Sequence, residues 1–270
     1  MFQYDFMQNA FLAGSFVAIM CAIIGVFVVA RGLSFLTHAF SHLGFSGAAF
    51  AVYVGIDPFF GMLLFTGVSA LAVGQMGVKV YKRDVVINVI LGIFLGLGLL
   101  FLSLSSKQTN AMSSLLFGSV VGISSSEAWK MVGLAIGILL VLILGYRMLT
   151  FDSFDPVGAE AAGYPVRFIS IAFLLLLAAA TAEAIQIVGA LLVFVLTTIP
   201  ASTARYLTYS VSKMVLYAAL LGLTGVWLGL TLAYYTNAPV SFYIAIIEGL
   251  LYFMAWGLHA YKERIRPQEG

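Results

Sequence analysis

The sequence predicts an all-α, polytopic membrane protein of about eight or nine transmembrane helices. Of its 270 residues, 62% are hydrophobic and only 9% charged, where a soluble domain carries about a quarter charged residues. Mean hydropathy is +1.08. Apolar stretches of about 20 residues recur along the chain, the length of a helix crossing a bilayer, and they lack the alternation of barrel strands. Almost no room remains for a soluble domain, so residues 1–270 read as one transmembrane domain.

The spans are expected near residues 10–30, 33–56, 58–81, 86–105, 130–149, 168–186, 187–205, 213–235 and 240–260. The first and second abut, as do the sixth and seventh; if one pair is bent or partly re-entrant, eight crossings remain. The first ten residues contain no Lys or Arg, which argues against a cleaved signal peptide and for a retained anchor. Cys21 lies alone in that first span; it reads as a small buried hydrophobe and excludes a disulfide framework or a Cys-rich metal site. Gly92 and Gly96 in the fourth span, and Gly222 and Gly225 in the eighth, offer close helix approach. Leu115 to Ile123 is apolar but too short to cross, and reads as a re-entrant or surface segment.

Two polar loops look ordered. Phe151 to Pro165 contains an Asp155-Pro156 helix start, an Ala-rich turn and a Gly163 stop ahead of Tyr164-Pro165. Pro200 to Lys213 reads as a short amphipathic helix between two spans. Basic residues set the orientation. Arg31, the Lys79/Lys82/Arg83 group, Arg147, Arg167, Arg205, Lys213 and the Lys262/Arg264/Arg266 group all fall on one side, the cytoplasm. Loops at Asp57-Pro58 and Asn237-Ala238-Pro239 carry no basic residue; Lys107 and Lys130 are the exceptions on the outer side. With nine spans the N-terminus is outside and the C-terminus inside. The net charge of +2, with no basic patch beyond short loops, excludes nucleic acid. No Gly-rich P-loop with its Lys occurs, so any ATP is used by another chain.

The polar residues that need explaining begin with His38 and His42, inside an otherwise apolar stretch. Four residues apart, they share a helix face and can turn toward one ion. Counted at about 1.5 Å per residue from Arg31, they lie roughly 10 and 16 Å deep, near the midplane of a core about 30 Å thick. Imidazole is a common ligand for transition metals; two histidines bonded to neighbouring helices or lining water are the alternative. Ser34, Thr37 and Ser41 are candidates to orient the rings. Two ligands leave a site incomplete, and Glu183 and Gln186 are candidates to complete it or to line an outer vestibule. Glu248 lies midway along the last span, where a lone carboxylate is costly. A helix-to-helix hydrogen bond is the alternative for both glutamates. His259, beside Lys262, reads as interfacial.

These segments resemble the metal-ion permeases of bacterial ABC importers, the zinc and manganese group. The landmarks are Arg31-Gly32-Leu33-Ser34 leading to Ala39-Phe40-Ser41-His42 and Gly47, then Leu116-Phe117-Gly118, then Phe154-Asp155-Pro156 with Ala159 and Gly163. Val188-Gly189-Ala190-Leu191-Leu192 and Pro200-Ala201-Ser202-Thr203-Ala204-Arg205 follow. The resemblance implies a type II ABC importer-like fold in the bacterial inner membrane. It implies a homodimer of permeases, a separate ABC ATPase and a metal-binding solute-binding protein. It makes the chain a transport subunit, not an enzyme, with no resident cofactor; Zn²⁺ or Mn²⁺ is the cargo. It places a metal ligand at His42 and, at the position of His38, an acidic partner. It also places ATPase coupling at Pro200, Thr203 and Arg205, with a second contact around Asp155 and Gly163. The chain departs from the pattern in three places: His38 replaces an aspartate, Leu43 an alanine and Ser46 a proline. Without that proline the second helix is expected to be straighter. Imidazole in place of carboxylate favours zinc, with manganese or iron second. The rivals are a proton-coupled metal transporter working through Glu183 or Glu248, and a membrane metalloenzyme, which three histidines hardly supply.

Overall fold

The computed structural model describes residues 4–76, 80–105, 116, 124–236 and 238–265. Among these residues the chain forms helices and no strand. The helices are α1 (Asp5–Ala30), α2 (Ser34–Val54), α3 (Pro58–Met76), α4 (Val80–Leu104) and α5 (Ser125–Phe154). They continue with α6 (Pro156–Ala161), α7 (Val166–Val188), α8 (Ala190–Leu207), α9 (Val211–Thr236) and α10 (Val240–Ile265). Every one except the short α6 is long enough to span, and eight of them are also apolar enough. The exception is α2, whose Ser, Thr and His residues dilute its apolar character.

Backbone chemistry explains the boundaries. Gly32 (φ 64°) and Gly189 (φ 81°) adopt conformations that side-chain-bearing residues rarely take, and each separates two helices that abut in sequence. Neither pair is therefore one bent span. α5 starts at a capping box: Ser124 Oγ accepts from the Glu127 N–H at 3.3 Å, and the Glu127 carboxylate accepts from the Ser124 N–H at 2.9 Å. α6 starts as the sequence predicts, with Asp155 Oδ1 accepting from the Gly158 N–H at 2.9 Å and Pro156 in the first turn.

The long helices pack around α1, which touches α5, α7, α8 and α9. α2 packs on α3, α4, α7 and α8, and α10 covers α8 and α9. Lipid offers helices no hydrophobic reason to associate, so close backbone approach matters. A Cβ on Gly47 of α2 would overlap the Gly61 carbonyl of α3, and one on Gly61 would overlap that of Gly47. Gly25 of α1 sits against the Thr197 carbonyl of α8 in the same way.

Three expectations need correction or fall elsewhere. Pro200 to Lys213 is not a separate short helix. α8 runs through Pro200 to Leu207, and α9 begins at Val211. Pro200 removes only one intrahelical bond, and the buried Ala201 and Ala204 hold the helix against Ala22 and Val26 of α1. Gly92 and Gly96 meet nothing within 4 Å, so within one chain they mediate no packing, whereas Gly222 and Gly225 do. Lys79, Lys107, Arg266 and, apart from Leu116, the segment Leu115 to Ile123 lie outside the described residues.

Candidate functional site

His38 and His42 stand one turn apart on α2, their ring centroids 4.7 Å apart at an interplanar angle of 84°. The His38 ring meets Phe194 of α8 edge-on at 5.3 Å, so α8 supports the pair from one side. His38 is exposed and His42 half-buried on the single chain. Phe35 of α2 and Leu191 of α8 are exposed as well. The pair therefore opens outward from the chain, not into its core. Counted from the observed start of α2, His38 lies about 6 Å and His42 about 12 Å along the helix, in its inner half. α2 runs unbroken through Ser46, the position where the resemblance leads one to expect proline.

The neighbouring hydroxyls do not orient the imidazoles. Thr37 Oγ1 donates to the Leu33 carbonyl at 3.3 Å, Ser41 Oγ to that of Thr37 at 3.1 Å, and Ser46 Oγ to that of His42 at 3.0 Å. In a buried helix the carbonyl four residues back is the nearest acceptor, and it captures them.

Glu183 is fully buried on α7, in the neighbourhood of Cys21 on α1 and the Ala135 backbone on α5. Neither of its oxygens makes a hydrogen bond of good geometry. No three His, Cys, Asp or Glu side chains converge as a cation site among the described residues. Within one chain Glu183 thus does not join the histidines. Glu248 is also fully buried and unpartnered, its carboxylate pressed on Gly225 of α9.

Sequence reasoning treated Arg31 as a topology marker and missed its partner. The Arg31 guanidinium pairs with Asp152 at 2.8 Å, donates through Nε to Ser153 Oγ at 2.7 Å, and stacks 4.5 Å above the Phe173 ring. This ties the inner ends of α1, α5 and α7. The available signal was an aspartate preceding the Asp155 cap, on the same side of the membrane as Arg31.

The remaining predicted positions also lie at inner helix ends. Pro200 and Thr203 are buried in α8 and Arg205 is exposed. Asp155 and Gly163 flank α6 in the open, beside Val157, whose exposure is 77%.

The model of the ABC 3 transport family matches residues 3–258. The chain belongs to that family. The permease is 32% identical over 255 residues to the manganese transport system membrane protein MntC of Listeria innocua, covering 94% of this chain and 91% of the relative. It is 28% identical over 254 residues to the manganese import system permease protein ScaB of Streptococcus gordonii, with 94% and 91% covered. Among solved structures it matches a chain of PsaBC from Streptococcus pneumoniae in complex with Fab. The TM-score is 0.84 and identity 27%, with 94% of this chain and 91% of that chain covered. The resemblance to metal-ion permeases of ABC importers holds. The permease is a multi-pass protein of the bacterial inner membrane and a transport subunit, not itself catalytic.

Proposed function

We propose that this permease carries a divalent transition metal inward through a path formed by two copies of the chain, with His38 and His42 of each copy lining it. The observation that carries this reading is the placement of the pair: His38 is exposed and His42 half-buried on the outer side of α2, and among the described residues no third ligand joins them. A second copy related by a two-fold axis doubles the ligand set at one point. Coordination limited to a few side chains also lets the ion leave again.

Manganese is the cargo that the relatives' names favour, in preference to zinc, which the sequence reading put first. Zinc retains one specific argument, the imidazole at His38, since manganese prefers oxygen ligands. ATP hydrolysis belongs to a separate ATPase. Its contact is the exposed α6 region between Asp155 and Gly163, since Pro200 and Thr203 are buried within α8. A metal-binding solute-binding protein delivers the ion from outside. The test is uptake of manganese and zinc by proteoliposomes holding the permease, its ATPase and its binding protein. His42→Ala should abolish uptake of both ions, and His38→Asp should shift preference toward manganese. Full uptake by His42→Ala would remove the histidines from the path.

A further inference from the structure

A cavity of about 380 Å³ opens at the inner ends of α8 and α10, apart from the histidine pair. Its polar lining comprises Ser202, Arg205 and Tyr206 of α8, Tyr209 of the turn after it, and Tyr252 and His259 of α10. These side chains bring a guanidinium, three phenols, an imidazole and an alcohol to one space, all able to donate hydrogen bonds. Among the described residues no carboxylate is part of the lining, and that of Glu263 is turned to His259. The ion pairs among the described residues are Arg31–Asp152 and His259–Glu263, so Arg205 enters none of them.

The lining is also ordered by its own contacts. The Tyr206 and Tyr252 hydroxyls meet at 3.2 Å, which uses one phenolic hydrogen and leaves the other for a ligand. The Tyr206 ring packs on Tyr252 at 5.6 Å and on His259 at 5.5 Å. Glu263 holds His259 Nε2 at 3.3 Å. Such a concentration of donors around one free guanidinium suits an anion with several oxygens. The volume falls within the roughly 300–1,000 Å³ of small-ligand sites.

We propose that this cavity binds a phosphate group, presented by an anionic phospholipid of the inner leaflet. Phe253, Met254 and Trp256 of α10 are exposed along the same helix and provide an apolar flank for acyl chains. Polar pockets with basic residues between helices at the cytoplasmic face are where anionic headgroups bind. The proposal rests on the membrane placement and the orientation of these helix ends, not on which metal crosses.

The experiment is native mass spectrometry of the delipidated full-length permease titrated with phosphatidylglycerol, with phosphatidylcholine and with inorganic phosphate. Phosphatidylglycerol should be retained in preference to phosphatidylcholine. Arg205→Gln should weaken that retention about tenfold, the loss of one charge-assisted hydrogen bond, and Tyr252→Phe by less. Melting curves separate misfolding from lost binding, and Tyr252→Phe, which removes a single oxygen, serves if Arg205→Gln does not fold. Displacement by inorganic phosphate alone would keep the phosphate site and make its source soluble. Equal retention of the two lipids, or unchanged retention by both variants, would overturn the proposal.

Discussion

Arg31 and Asp152 form a buried ion pair at the ends of α1 and α5. Their side chains are 10% and 1% exposed, so each has left most of its water. A buried pair adds little net stability compared with apolar residues of the same shape, yet losing one partner strands the other. Arg31→Met should therefore destabilise the permease by about 3–5 kcal/mol. The double variant Arg31→Met/Asp152→Leu should regain most of that loss. Thermal unfolding in detergent measures both; a single variant as stable as the parent would show that Asp152 is not held by Arg31. Glu183 and Glu248 present the opposite case, buried carboxylates with no partner. Replacing Glu248 with glutamine keeps its shape against Gly225 and removes an ionisable group. Stability should hold or rise in the same assay.

Helix pairing depends on which glycines face a neighbour, and the sequence does not distinguish them. Gly61 of α3 stands against the backbone of Gly47 and against Ala51 of α2. A side chain there meets main chain, which cannot rotate aside, so the two helices must separate. Gly61→Ala should cost about 1–3 kcal/mol, as overpacking does. Gly92→Ala and Gly96→Ala on α4 meet open space. They should be neutral, or gain up to about 1 kcal/mol from helix propensity. Melting temperatures of the three variants decide the matter, and equal losses at all three would refute the α2–α3 crossing. On α8, Pro200 illustrates the same limit of local rules. Proline usually marks a helix boundary, but packing against α1 carries the helix through it.

For the whole molecule, the arrangement around α1 separates a buried centre from outer helices. Most of α1 is buried, whereas α4 and α10 are largely exposed. His38 is exposed at the edge of α2, which is where the proposed second copy would close a path. If ATP drives that path, uptake in proteoliposomes should stop when ATP is withheld and should continue when an ionophore collapses the proton gradient. The reverse result would assign the energy to protons and return Glu183 and Glu248 to the mechanism.

Composition alone determined that this chain lives in a membrane as helices, because burying so many apolar side chains with so few charges is favourable only in lipid. Its basic residues, gathered on one side, predict the orientation. Helical spacing determined that His38 and His42 share a face, and the Asp155-Pro156 pair determined where α6 begins. These are local properties, written in neighbouring residues. Only the tertiary structure decided that Glu183 is buried near Cys21 and forms no three-ligand cluster with the histidines, that Arg31 pairs with Asp152, and that Gly61 is packed while Gly92 is not. It also decided that Arg205 faces a cavity. These contacts depend on which helix lies beside which, and a pairing such as Arg31 with Asp152, more than a hundred positions apart, leaves no periodic trace in the chain.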